Sequence, residues 1–163
     1  DEDLKSLIEY FSNVDEKTIV EFFGDHQPND TVASSVLAAN GMDYNNLSNE
    51  ELKLRYQVPY VIWANYDIEE QQDVVTSSNY LGAMTLETAG VELTKYQQYL
   101  LDLREKVPAF SGTAYYGHDG RFHEYGSGGR EEEYLPLDDC INYNKIFGEE
   151  SRLDEFFFLK NDE

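Results

Sequence analysis

The chain has 163 residues, a length that fits one compact domain or part of a larger one. About a quarter of the residues are Leu, Ile, Val or Phe, which is enough apolar material for a buried core. With 33 Asp and Glu against 12 Lys and Arg, the formal charge is −21, a field that repels phosphate backbones and anionic headgroups. Nucleic-acid binding and membrane docking through a basic patch are poor fits to such a chain.

Cys140 is the single cysteine, so neither an internal disulfide nor a cysteine-based zinc cluster can form. No run approaches the roughly 18 apolar residues of a membrane span. The acidic opening Asp1-Glu2-Asp3 is the reverse of a signal peptide's basic start, and no initiator Met precedes it. The expectation is a piece of a longer protein, with any anchor or targeting segment upstream.

Taken in chain order, Leu4, Leu7, Ile8 and Phe11 recur at helical spacing and predict a first helix with one buried stripe. Thr18-Ile19-Val20-Glu21-Phe22-Phe23 is a short, β-rich apolar run stopped by Gly24, the pattern of a buried strand in a parallel sheet. Ser48 and Glu51 form a capping-box pattern that opens a short helix through Leu52 and Leu54, before Pro59. Tyr60-Val61-Ile62-Trp63-Ala64 is a second strand, ended by Asn65-Tyr66-Asp67. Thr76 or Ser77 can cap a helix that carries Tyr80, Leu81 and Met84 and stops at Gly90 in the C′ position. Thr94 and Gln97 repeat the capping pattern, and Tyr96, Tyr99, Leu100, Leu103 and Val107 mark one helix face closed by Pro108.

Beyond residue 113 the texture changes. Tyr115-Tyr116-Gly117-His118 and Arg121-Phe122-His123-Glu124-Tyr125 read as two strands about an Asp119-Gly120 turn. Gly126-Ser127-Gly128-Gly129 reads as a flexible loop, and Arg130 to Glu133 as a solvated charge run. Leu137 to Phe147 predicts a helix, and Phe156 to Leu159 a last strand.

The chemistry concentrates in Phe22-Phe23-Gly24-Asp25-His26-Gln27-Pro28, where a carboxylate and an imidazole follow a buried strand. In open α/β sheets ligands bind beyond the carboxyl ends of the strands. Asp oxygen and His nitrogen suit zinc, manganese and related divalent ions, and Gly24 lets the backbone turn to present both. The expectation is a cleft site at the end of a central parallel strand. The alternative is local: Asp25 making an Asx turn and His26 capping the strand. His118 and His123, with Asp119 between them, raise a second metal reading, but their hairpin offsets do not require the rings to converge. The 13 tyrosines suggest carbohydrate stacking, although Tyr96 and Tyr99 fit a packed helix face with the hydroxyl at its rim. Glu131, Glu132 and Glu133 lack the alternating ligand loop of a calcium site.

The stretch Val20-Glu21-Phe22-Phe23-Gly24-Asp25-His26-Gln27-Pro28 resembles the late metal-binding motif of the alkaline-phosphatase superfamily. The match is to its sulfatase branch, which holds the lipoteichoic-acid-synthase-like phosphoglycerol transferases. Residues 58–66 resemble the strand that follows in that family, Ser77 to Gly90 its next helix, and Leu137 to Gly148 its closing segment. The resemblance covers nearly the whole chain. It implies the C-terminal portion of an α/β, sulfatase-like catalytic domain: parallel strands with flanking helices over residues 1–110, then a β-hairpin and terminal helix over 111–163.

It further implies that Asp25 and His26 ligate the catalytic divalent metal, whether Mn, Zn, Mg or Ca. The nucleophile, a Thr or in true sulfatases a modified Cys or Ser, belongs upstream together with the remaining ligand and the headgroup-binding His and Arg. No catalytic residue is expected in this chain, and Cys140 lies too late in the order to be the nucleophile. The implied activity is phosphoglycerol transfer or hydrolysis of phosphate or sulfate esters in cell-envelope polymer or lipid metabolism. It would take place on the outer face of a bacterial membrane, with the upstream part of the same domain as partner and membrane attachment only through an upstream anchor. The reading from a different class is a non-enzymatic acidic domain that binds cell-wall glycan or cations.

Overall fold

A computed structural model describes residues 2–48, 51 and 55–160 and divides the chain into two compact units, Asp1–Ile68 and Glu69–Glu163. Helices and small sheets occur in both, the mixed α/β class expected for a sulfatase-type segment.

In the first unit, helix α1 (Glu2–Phe11) opens with Glu2 and Asp3 in its first turn, where acidic side chains favour the positive end of the helix dipole. Strand β1 (Ile19–Phe23) pairs with β2 (Tyr60–Ala64), Ile19 opposite Ala64 and Phe23 opposite Tyr60. The pairing is antiparallel, whereas the apolar runs predicted parallel strands. A continuous apolar run leaves strand direction open, and the expected burial is not found either, since Phe22 and Phe23 of β1 and Val61 of β2 are exposed.

Asn65 fastens this unit together. Its Nδ2 donates to the carbonyls of Phe11, Val14 and Glu16 at 2.9–3.1 Å, and its Oδ1 accepts from Thr18 N at 2.8 Å. One amide thus joins the end of α1 to the start of β1.

Helix α2 (Asp30–Ala39) was not foreseen. Pro28 and Asn29 mark the end of a strand in the sequence, and the helix itself is rich in Ala, Ser and Thr, with little apolar periodicity. Asn29 supplies its cap, the side chain accepting from Thr31 N and Val32 N. The Ser48–Glu51 capping pattern is present, since Glu51 Oε2 accepts from Ser48 N (2.8 Å) and Oγ (2.6 Å). The expected continuation through Leu52 and Leu54 lies outside the described residues.

The second unit holds most of the core. Helix α3 (Ser78–Thr88) buries Tyr80, Leu81, Ala83 and Met84. It ends in a Schellman motif: Gly90 N bonds Glu87 O, Val91 N bonds Leu86 O, and Gly90 takes φ +69°. Helix α4 (Lys95–Arg104) begins with the full Thr94–Gln97 capping box. It buries Leu100 and Leu103, as its spacing predicts. The Tyr80 hydroxyl donates to Val107 O at 2.9 Å, and Tyr80, Val107 and Tyr115 are fully enclosed.

Strands β3 (Ala109–Phe110), β4 (Ala114–Tyr116) and β5 (Phe122–Glu124) form an antiparallel sheet. The predicted hairpin is present, with its turn one residue longer than the Asp119-Gly120 pair. Gly117 N bonds Arg121 O, so His118, Asp119 and Gly120 form a three-residue loop with Gly120 at φ +76°. His123 therefore lies directly opposite Tyr115, and the two rings stack at 5.2 Å.

Helix α5 (Leu135–Phe147) carries Pro136 in its first turn, a position that tolerates the missing N–H. The predicted last strand is instead a single turn of helix, α6 (Asp154–Phe157), with Phe157 buried. A short apolar run cannot distinguish a strand from a buried helical turn by periodicity.

Candidate functional site

The site is built where β1 ends. Gly24 N donates to Pro59 O at 3.1 Å, and the Gly24 backbone lies against Val58 so closely that an added Cβ would sit 2.9 Å from Val58 Cβ. Glycine is required there by the close approach of the two segments. The chain then presents Asp25 and His26 in succession. Asp25 Oδ1 accepts from His26 N at 2.8 Å, and Asp25 Oδ2 lies 3.3 Å from His26 Nε2. The other ring nitrogen, Nδ1, is 2.9 Å from the Gln27 carbonyl.

That carbonyl can only accept, so the Gln27 contact favours the tautomer with its proton on Nδ1 and a bare lone pair on Nε2. The outer partner of a metal-ligating histidine performs the same task. Two donors bound at about 2.1 Å to one ion stand roughly 3 Å apart, and the 3.3 Å between Asp25 Oδ2 and His26 Nε2 fits that spacing. The donor set therefore suits a divalent ion, although it supplies only two ligands. Among the described residues no group of three or more His, Cys, Asp or Glu side chains is arranged to hold a metal. The cleft expected from the sequence is not formed by the first unit: the two side chains are 77% (His26) and 80% (Asp25) exposed.

Behind the pair the loop is braced by residues that sequence reasoning passed over. Gln27 Nε2 donates to the Gln57 carbonyl. Arg55, with a side chain only 16% exposed, bonds Asp30 Oδ1 at 3.0 Å and reaches the Pro28 carbonyl at 3.4 Å. The Tyr44 phenol is raised above its ordinary pKa, chiefly by its hydrogen bond to Asp30, while the Arg55 guanidinium lies 5.9 Å from the Tyr44 ring centroid. A lone Arg and a backbone carbonyl 25 to 30 residues beyond the groups they hold give no signal in a linear sequence.

The histidines of the hairpin do not form a second metal pair. His118 Nε2 contacts the Glu105 carbonyl at 3.0 Å, whereas His123 Nε2 meets Asp119 Oδ1 and Oδ2 at 3.0 and 3.1 Å. The hydrogen bond from His123 holds the Asp119 carboxyl below the usual range. Nor is Arg130 to Glu133 merely a solvated run. Glu131 Oε1 accepts from His118 N, and Glu132 accepts from Gly126 N, Gly128 N and Ser127 Oγ. Burial would raise the Glu132 carboxyl, and these donors outweigh it, leaving the group low.

Of the two tyrosines on the α4 face, Tyr96 bonds Asn142 Oδ1 at 3.1 Å. The Tyr99 hydroxyl is shut off from solvent instead of standing at a rim, with Asp138 as its neighbour.

Comparison with known proteins bears on the first unit and the start of the second. The family described as Sulfatase matches residues 1–91. A protein of Rhizobium meliloti (strain 1021), provisionally named for modification of cyclic beta-1,2-glucan, is 29% identical over 102 residues. The aligned stretch covers 61% of this chain and 16% of that relative, so the chain spans a small part of its length. No solved structure matches significantly.

Proposed function

The chain belongs to the sulfatase family, and from that premise we propose that it is a C-terminal segment of a metal-dependent enzyme acting on phosphate or sulfate esters, with Asp25 and His26 as two of the metal ligands. The observation that carries this reading is the geometry of the pair. Asp25 Oδ2 and His26 Nε2 stand 3.3 Å apart at the end of β1, with the imidazole oriented from behind by the Gln27 carbonyl.

A divalent ion held there supplies charge neutralisation at the ester oxygens and lowers the pKa of the attacking group. Asp25 contributes the anionic oxygen and His26 the neutral nitrogen. The Gln27 carbonyl meets His26 Nδ1, and the Arg55 side chain and the Gln57 carbonyl brace the loop that carries both donors. The nucleophile, a Thr in a phosphoglycerol transferase or a modified Cys or Ser in a sulfatase, is proposed to lie in the preceding part of the same domain.

The substrate class is an ester on a cell-envelope polymer or lipid. The resemblance to lipoteichoic-acid-synthase-like transferases favours glycerophosphate, and the glucan-modifying relative favours a glycan acceptor. We place the activity on the outer face of a bacterial membrane. No helix among the described residues is long and apolar enough to cross a membrane, so the reading assigns attachment to another segment. No role with nucleic acid is proposed, in keeping with the charge of −21.

Turnover tests the reading. The purified 163-residue chain should show no ester hydrolysis above the metal-catalysed background, because metal assistance without a nucleophile and a third ligand falls far short of enzymatic rates. Robust hydrolysis of a phosphodiester by this chain, abolished by Asp25→Ala, would make it a complete enzyme and overturn the assignment of the nucleophile to another segment.

A further inference from the structure

The second unit contains an open pocket of about 560 Å³, bounded by α3, α4, the end of α5 and residues 152–158. Its lining reverses the charge of the molecule. About one residue in five of the chain is Asp or Glu, yet among the described residues no acidic side chain lines this pocket, and Lys145 and Arg152 both do.

The two cations are placed differently. Lys145 Nζ stands 4.2 Å from the Tyr96 ring centroid and makes no ion pair with a carboxylate among the described residues. Its charge is thus held by an aromatic face, an attraction that leaves it open to an anion. Arg152 commits Nε to Asp154 Oδ1 at 2.6 Å and lies 5.3 Å from the Phe158 centroid.

The neutral side of the pocket presents donors. In the reciprocal cap of α4, Gln97 Oε1 accepts from Thr94 N, and Thr94 Oγ1 accepts from Gln97 N. Among the described residues the Gln97 amide N–H groups and the Thr94 hydroxyl proton have no acceptor, which leaves them for a ligand. Concave apolar walls with a few polar groups that fix orientation are the general make-up of a small-ligand site.

We infer that this pocket binds a saccharide unit bearing a phosphate or sulfate ester, with the anion at Lys145, the sugar hydroxyls at Thr94 and Gln97, and the ring against Tyr96 and Phe158. The choice of a sugar ester rests on the ester-processing reading above; the preference for an anion rests on the pocket alone. Because the molecule as a whole repels anions, occupancy by one requires a local positive charge, which Lys145 supplies with no carboxylate partner among the described residues, while the Arg152 charge is shared with Asp154.

The test is a titration of the 163-residue chain with glucose 6-phosphate, glucose 6-sulfate, glucose and phenyl phosphate at about 0.15 M salt, followed by amide chemical shifts. The two sugar esters should move the amides of Thr94, Gln97 and Lys145, with glucose at least about tenfold weaker, the loss expected for one charge-assisted contact. Lys145 is exposed, so its replacement leaves the core intact. Lys145→Ala should weaken the esters at least about tenfold, and Lys145→Arg should restore part of the affinity.

Asp25→Ala should leave this binding unchanged, which separates failure here from failure of the metal-pair assignment. Equal binding of glucose and its esters, insensitivity to Lys145→Ala, or shifts confined to residues 24–30 would overturn the site. Tighter binding of phenyl phosphate than of glucose 6-phosphate would overturn the sugar and assign the pocket to an aryl anion.

Discussion

The two units hold their folds by different means. Of the twelve buried apolar residues among those described, eleven lie in the second unit and one, Ala33, in the first. The first unit exposes Leu7, Tyr10, Phe22, Phe23, Val32, Val36 and Val61, and is tied by hydrogen bonds at Asn65 and Arg55 and by a two-stranded pairing. A two-stranded sheet is marginal by itself in water. The candidate metal ligands therefore sit on the unit with the smaller core, while the unit with the fuller core carries the saccharide pocket. Catalytic pairs of this kind need fixed geometry, so the proposed remainder of the catalytic domain would supply the missing cover for the exposed β1 and α2 side chains.

The largest effect should come from cutting the core of the second unit. Leu103→Ala is expected to lower stability by about 2–5 kcal/mol, against less than about 1 kcal/mol for the exposed Phe22→Ala in the isolated chain. Urea melts reporting each unit separately, with Trp63 fluorescence for the first and amide signals for the second, would measure both. Equal losses would erase the contrast.

The next largest belongs to the hydrogen-bond clip. Asn65→Ala removes the donor to three carbonyls and the acceptor for Thr18 N, and should cost the first unit about 1–3 kcal/mol while leaving the second unmoved. Gly24→Ala would push a methyl to 2.9 Å from Val58 Cβ. Such overpacking typically costs about 1–3 kcal/mol and would show here as shifted amides at Asp25 and His26.

Titration sharpens the comparison within the second unit. Asp138 is buried, and that burial, reinforced by the neighbouring Asp139, raises its carboxyl, with Asn142 Nδ2 donating to Oδ2 at 2.8 Å. A raised folded-state value means that the native state holds its proton longer than the unfolded chain. Stability contributed by this group is present below the unfolded carboxylate range and is lost as pH rises through the folded value. Asp138→Asn should flatten that fall. A melt series from pH 3 to 7 that is unchanged by the substitution would contradict it.

The smallest effect belongs to the hairpin. The hydrogen bond from His123 depresses Asp119, so its contribution is present above the usual carboxylate range and fades as pH falls through the depressed value. His123→Ala should remove that acid sensitivity from the β4–β5 amides without unfolding the unit.

How much of this was legible follows from which interactions are local. The helices with sequence-adjacent caps were readable: the Thr94–Gln97 box, Gly90 at C′ and the Leu100–Leu103 face all occur as spaced. The hairpin was readable to within one residue, because an Asp-Gly pair fits both a two-residue loop and the end of a three-residue loop. Strand direction was not, since Thr18 to Phe23 and Tyr60 to Ala64 are equally apolar in either orientation. Helix α2 was hidden by a cap, Asn29, that follows a proline and reads as a turn.

For the site, Asp25 and His26 follow the end of β1 as the sequence order implies, but β1 belongs to a two-stranded antiparallel pairing and is not a central parallel strand. The long-range partners Arg55 and Gln57 left no trace in the sequence. The exposure of the pair also could not be read, because it depends on what packs over β1 and α2 and not on the residues themselves.

The central claim, that Asp25 and His26 ligate the catalytic metal of a sulfatase-family enzyme, is tested most directly by metal content and turnover in the longer protein from which this segment is proposed to come. That protein would be stripped with chelator, reloaded with manganese or zinc, and assayed on a phosphate ester as wild type, Asp25→Ala and His26→Ala. The account predicts that each substitution removes tightly bound metal and lowers kcat/KM by at least about 100-fold. Retention of stoichiometric metal and full turnover in both variants would contradict it, and the non-enzymatic acidic glycan- or cation-binding reading would then take its place.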